Sequence, residues 1–312
     1  MTLVVSADYE AMSRSGAEFI MGAIRRVPDA LVCLPTGSSP ARAYELLAAH
    51  GRLEPELFGR VRWLKLDEWG GLPIDHPATC ERYLLDRLMI PLEVPAARFF
   101  GWQSQPEDAD AECQRMADWL AAHGPIDLCV LGLGLNGHLG FNEPAPALQP
   151  GPHVAALSSA SLTHSMLGGE RAGIRYGLTL GMADILHSRR LLLLVNGAHK
   201  AEAMRRLAER QITPEFPASF LWLHPALTII ADRAALAETD AIRADIRHQI
   251  VPQTAGFSML QDNGGTDLRR RLARACIVER AGEDRRPIRC AERQGRQFLG
   301  CIGNRHYDVV QR

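Results

Sequence analysis

An imidazole, a carboxylate and two amides, on His138, Glu143, Asn136 and Asn142, fall within eight residues in the stretch GLGLNGHLGFNEP, Gly132 to Pro144. A His and a Glu five positions apart on a constrained loop can meet. The carboxylate then accepts from one ring nitrogen and leaves the other for proton transfer. Gly132, Gly134 and Gly137 also spell G-x-G-x-x-G, but a dinucleotide fingerprint needs those glycines to open a helix, with an acidic residue about 20 positions later. Pro144, Pro146, Pro150 and Pro152 follow instead and forbid a long helix. What remains is a loop whose glycines let backbone amides approach a ligand. By spacing alone, a turn with capping polar residues is the competing reading.

Two further clusters have the right types for an anionic substrate. In CLPTGSSP, a strand delivers Thr36, Gly37, Ser38 and Ser39 to a turn before a helix beginning near Pro40, where free amides attract an anion and hydroxyls add donors. An N-cap without ligand is the plain alternative. Lys200 is one of only two lysines, the other being Lys65, among 35 basic residues. Its compact charge, just after LLLLVNG, suits a phosphate oxygen, against a solvated helix-start lysine. Asp67 follows WLKL, so a strand carries it to the same edge. Lys65, two residues earlier, would lower its pKa if close, or else snorkels outward. Glu68 points the opposite way along an extended strand and reads as structural or hydrogen-bonding.

Positioning these groups requires a frame, and the sequence supplies one. ALVCLPTG, VRWLKLDEW, DLCVLGLG, RLLLLVNG and ALTIIAD read as buried strands alternating with helical patterns such as PARAYELLAAHG and DADAECQRMADWLAAHG, the latter stopped by Gly124. This pattern predicts an α/β protein with a doubly wound, mostly parallel sheet and helices on both faces, with ligands beyond the carboxyl ends of the strands. The first strand is expected near Ala30. Residues 1–240 form the predicted domain; 241–312, with RRRLARA and RAGEDRRPIR, reads as an Arg-rich extension, weakly packed or disordered, since few apolar positions offset its ordering entropy.

The 312 residues are 46% hydrophobic and 23% charged with net charge -1, which gives no general attraction to nucleic acid or membrane. An arginine arm that binds nucleic acid lacks the interleaved aromatics. No apolar run reaches about 18 residues and the N-terminus lacks a leader pattern, so a cytoplasmic location is expected. Seven scattered cysteines without C-x-x-C argue against a disulfide frame or zinc site, and no metal is expected.

DLCVLGLGLNGHLGFNEP resembles the signature of the amino-sugar-6-phosphate deaminase/isomerase family. LPTGSSPARAYELL, LKLDEW and NGAHKAEA are similar to that family's phosphate loop, D-E motif and phosphate-lysine segment, in the family's order from about Ala30 to Ala235. LDEW, TCERYL, GLTLGMADIL and FPASFLWLH resemble its galactosamine-6-phosphate branch more closely. The resemblance implies that Thr36, Gly37, Ser38, Ser39 and Lys200 hold the 6-phosphate. It also implies that Asp67 removes the C2 proton, and that His138, set by Glu143, opens the ring without cofactor. Asn136 stands where relatives usually carry Asp, an uncharged group that supports imidazolium less, so His138 leans on Glu143. Gly134, Gly137, Glu68, His164, Arg171 and Arg175 are further candidate contacts, the arginines for phosphate. The implied partner is a small sugar phosphate, and a homo-oligomer is left open. Competing readings are glucosamine-6-phosphate deaminase, 6-phosphogluconolactonase, disfavoured because FNEP replaces that branch's SLFP-like residues, and a non-catalytic sugar-phosphate-binding relative.

Overall fold

The computed structural model describes residues 1–162, 173–237 and 239, all within one compact unit. His164, Arg171 and the 241–312 extension lie outside the described residues. In chain order the strands are β1 (Thr2–Ser6), β2 (Leu31–Leu34), β3 (Arg62–Lys65), β4 (Asp67–Gly70), β5 (Phe99–Phe100), β6 (Leu128–Gly132), β7 (His153–Ala155), β8 (Tyr176–Thr179), β9 (Leu191–Val195) and β10 (Leu227–Asp232). The helices are α1 (Tyr9–Arg26), α2 (Ser38–Gly51), α3 (Cys80–Leu84), α4 (Ala109–His123), α5 (Ser159–Leu162), α6 (Met182–Leu186) and α7 (Ala201–Ala208).

Seven strands form one wholly parallel sheet in the order β1-β10-β9-β6-β2-β3-β5. Both faces are covered, which is why its strands read as unbroken apolar runs rather than alternations. Leu31 and Cys33 of β2 pack with Met116 of α4 and Met204 of α7. Val32 and Leu34 face the other way, onto Ile20 of α1 and Leu47 of α2. The chain runs outward from β2 through β3 to β5, then restarts on β2's other side with β6. That reversal opens a crevice beyond the ends of β2 and β6.

Three features depart from expectation. The first strand is β1, not the run near Ala30: TLVVS is a short edge strand registered along β10, and five residues with polar neighbours carry little periodic signal. Residues before Ala30 are therefore part of the sheet and of α1. A second sheet, β4-β8-β7, is antiparallel. VRWLKLDEW consequently does not make one strand. It divides at Leu66, whose amide still pairs with Leu34 O at 3.0 Å while its carbonyl accepts from Leu180 N at 3.1 Å. The chain changes sheets one residue before Asp67.

Candidate active site

Pro35 to Ser39 form the floor of a cleft at the crevice. α1, α3 and α4 are each capped by a side chain, Asp8, Thr79 and Asp108 respectively, but the N-cap of α2 is Gly37, at φ +110° and with no side-chain cap. Its first amides therefore remain available to a ligand. The loop's carbonyls are turned away and tied from behind: Tyr44 Oη donates to Pro35 O at 2.9 Å, Tyr9 Oη to Ser38 O at 2.7 Å and Tyr83 Oη to Gly37 O. Across the cleft, the loop after β9 carries Lys200. Asp232 holds this loop by accepting from Gly197 N at 2.9 Å, and the Ser39 hydroxyl donates to Asn196 Oδ1 at 2.7 Å. Ser39 thus ties the two loops together, rather than presenting a free hydroxyl proton. Lys200 makes no ion pair among the described residues, and burial lowers its pKa to about 8. An ammonium that is partly desolvated and unpaired is poised to gain from an arriving anion.

Asp67 opens β4 at the opposite wall. It is 7% exposed and its Oδ1 has no hydrogen-bond partner. Burial, and then the neighbouring Glu68 charge, raise its pKa to about 7 despite the opposing pull of Lys65. Behind it lies a buried ionic cluster: Lys65 Nζ donates to Glu68 Oε2 at 2.7 Å, Glu81 Oε2 at 2.7 Å and Trp102 O at 2.9 Å. Lys65 does not snorkel outward. It is fully buried and its three protons are all used. Glu68 also accepts from the amides of Trp69, Cys80 and Glu81. It clamps α3 to β4 and is turned away from the cleft. The strand alternation that aims Asp67 inward sends Glu68 outward.

The loop after β6 completes the cleft. A Cβ at Gly134 would lie 2.4 Å from the His138 ring, and one at Gly140 would lie 2.7 Å from Thr179 Oγ1 and 3.4 Å from Asp67 Oδ2. These two glycines let the loop fold the imidazole over its own backbone and pass close beside the carboxylate. His138 Nδ1 lies 3.4 Å from Glu143 Oε2, close enough for an ion pair but without the geometry of a hydrogen bond. Asn136 does not face the ring: its Nδ2 donates to Glu143 Oε2 at 2.9 Å and its Oδ1 accepts from His138 N at 3.1 Å. Burial pushes the Glu143 pKa up, but His138, Ser161 and Asn136 together bring it down to about 2. Asn142 braces the loop through Leu139 O and Leu180 O.

One cleft of about 250 Å³ is therefore lined by Thr36 to Ser39, Asp67, Gly134, His138 and Lys200, drawn from four chain-distant loops. Glu143 and Asn136 reach this cleft only through His138 and do not line it, and three candidates fall elsewhere, Glu68 among them. Gly137, at φ +88°, packs against Phe216, and the exposed Arg175 lies beside Gly71, one residue before β8, at the end of the β4–β8 pair opposite Asp67. The reading of residues missed Ser161, His199, Trp69 and Phe141, which line the same cleft. Trp69 was legible as the neighbour of D-E, and His199 as the neighbour of Lys200. Ser161 carried no signal, since its approach depends on the β7–β8 excursion. Among the described residues, no group of three His, Cys, Asp or Glu side chains is placed to hold a metal ion, and no helix is long and apolar enough to cross a membrane.

Residues 7–229 match the family model described as glucosamine-6-phosphate isomerases/6-phosphogluconolactonase. The chain is 39% identical over 223 residues to the "Putative deaminase AgaI" of Escherichia coli (strain K12), covering 72% of this chain and 88% of that one. It is 34% identical over 245 residues to glucosamine-6-phosphate deaminase 1 of Bacillus subtilis (strain 168), covering 75% and 98%. Among solved structures, a monomeric glucosamine-6-phosphate deaminase of the NagB superfamily superposes with a TM-score of 0.72 at 33% identity, over 76% of this chain and 100% of that one. A 6-phosphogluconolactonase from Trypanosoma brucei, with a TM-score of 0.62 and 20% identity over 76% and 98% of the two chains, shares the fold.

Proposed function

Because the chain belongs to the glucosamine-6-phosphate isomerase/6-phosphogluconolactonase family, we propose that it is an amino-sugar-6-phosphate deaminase/isomerase acting on galactosamine 6-phosphate, with tagatose 6-phosphate and ammonia as products. The observation that carries this reading is one cleft joining an uncapped, tyrosine-braced amide cradle with Lys200, a carboxyl raised to about 7, and a His–Glu pair.

The phosphate docks on the amides after β2 and on Lys200, which fixes the sugar's far end. His138 moves a proton between ring oxygen and anomeric hydroxyl, and Glu143 stabilises the imidazolium that forms transiently. Ring opening gives the 2-amino aldehyde. Asp67 takes the C2 proton and returns it to C1, giving a ketose imine, and water releases ammonia. A base with a pKa near the working pH suits this transfer, since it must both accept and return the proton. The galacto preference is supported by Trp69 and Phe141, whose rings stand 4.5 Å apart and line the cleft. An axial 4-hydroxyl leaves the C3, C4 and C5 hydrogens on one ring face, an apolar patch that an aromatic wall favours.

Release of ammonia and ketose phosphate from galactosamine 6-phosphate and glucosamine 6-phosphate, assayed side by side with hydrolysis of 6-phosphogluconolactone, tests the reading. The galacto epimer is expected to give the highest kcat/KM. Turnover of the lactone alone would overturn the deaminase assignment, and preference for the gluco epimer would overturn the choice of substrate.

Two expectations accompany it. Lys200→Ala should raise KM for the phosphorylated sugar roughly 10- to 100-fold, the worth of a charged hydrogen bond, while leaving weak binding of unphosphorylated hexosamine unchanged. The pH profile of kcat/KM should be bell-shaped. It rises through about 7 as Asp67 loses its proton, and falls above about 8 as free Lys200 loses its charge. A flat profile between pH 6 and 9 would contradict both roles.

A further inference from the structure

Glu143 has more donors than a carboxylate needs simply to stand beside a histidine. Its Oε1 accepts from Ser158 Oγ at 3.0 Å and from Ser161 Oγ, while Oε2 accepts from Asn136 and faces His138. Ser161 is 2% exposed and lines the cleft. Its amide also donates to Ser158 Oγ at 3.2 Å, so the start of α5 is seated on the carboxylate through both serines. With two hydroxyls on Oε1, the carboxylate cannot rotate without breaking both bonds, and this rotation is what would swing Oε2 away from the imidazole.

We propose that Ser161, supported by Ser158, is a positioning residue that replaces the second acid missing at Asn136, locking Glu143 with Oε2 aimed at His138. Ring opening then depends on α5 being seated on Glu143, although neither serine exchanges a proton with the sugar. This rests on the reading of His138 as the ring-opening group.

The test is a mutant cycle on the full chain with galactosamine 6-phosphate. Ser161→Ala is expected to lower kcat about 10-fold, the usual scale for loss of a group that orients a catalytic histidine's partner, with KM unchanged. Ser161→Thr, which keeps the hydroxyl, restores it. In a Glu143→Gln background the same substitution should add no further loss, because its effect passes through that carboxylate. Ser158→Ala, which reaches the same oxygen, should reproduce the effect if Ser161→Ala does not fold. Full kcat in both alanine variants overturns the proposal, as does an undiminished Ser161→Ala penalty in the Glu143→Gln background, which would mean that Ser161 touches substrate directly. His138→Asn separates the underlying reading. If that variant turns over normally, the ring-opening assignment itself has failed; if it is inactive while both serine variants are normal, only the proposal has.

Discussion

Asp67→Asn is expected to abolish nearly all turnover and at the same time stabilise the fold. Removing a general base costs about 10²- to 10⁴-fold in kcat. KM should hold within about threefold, since the amide keeps the shape of the cleft and the phosphate cradle supplies binding common to ground and transition states. The stability gain follows from linkage. The Asp67 carboxyl rises from the ordinary aspartate value of 3.8 to about 7 in the fold, chiefly through burial. An acid with a raised folded pKa is protonated more readily in the folded chain, so the fold loses stability as pH climbs from about 4 to about 7 and carries the full penalty above that. At about 1.4 kcal/mol per pH unit the penalty is somewhat over about 4 kcal/mol. The asparagine amide is itself imperfectly paired there, so a net gain of about 1–2 kcal/mol is expected at pH 8. Calorimetry at pH 8 and pH 4 checks this: the variant should melt higher than wild type at the first and no higher at the second. A difference that does not change with pH would mean that Asp67 is not the group held neutral by burial.

Lys65→Met should be the most destabilising single change around the site without touching the cleft. It strips the counter-charge from Glu68, which is fully buried, and from Glu81. Leaving one partner of a buried ion pair unmatched costs about 3–5 kcal/mol, which lowers Tm by roughly 10 °C for a domain of this size. Glu68→Gln added to Lys65→Met should recover part of the loss, because the amide needs no counter-ion. A second effect identifies the mechanism. Lys65 draws the Asp67 pKa down while Glu68 pushes it up, so in the surviving single variant the acid limb of the activity profile moves to higher pH. An unchanged limb would confine Lys65 to a purely structural role.

The parallel sheet and its crevice were legible because β2, β6, β9 and β10 are buried on both faces and therefore read as unbroken apolar runs. Thr36 to Ser39, Asp67, His138 and Lys200 were legible for a related reason, since each follows or opens a strand and must emerge near the same edge. What the sequence hid was everything settled by the second sheet. Nothing in VRWLKLDEW marks Leu66 as the residue that pairs with both Leu34 and Leu180, because both partners are distant in sequence. The same ignorance made Lys65 look free to reach water, and left Glu68 among the candidate contacts. Ser161 was invisible because its hydroxyl meets Glu143 only after the chain has folded back from β7.

The three phenols behind the loop at Pro35, Gly37 and Ser38 belong to three different helices, α1, α2 and α3. They work as a tripod that fixes which way the peptide planes face. The electrical polarity of the receptor is therefore not written in the letters T-G-S-S. The same tetrapeptide on a scaffold without those rings would be free to flip its planes and offer oxygens to the incoming anion. If this turn holds the phosphate as proposed, what suits it to negative charge is the agreement of three helices about where its oxygens go.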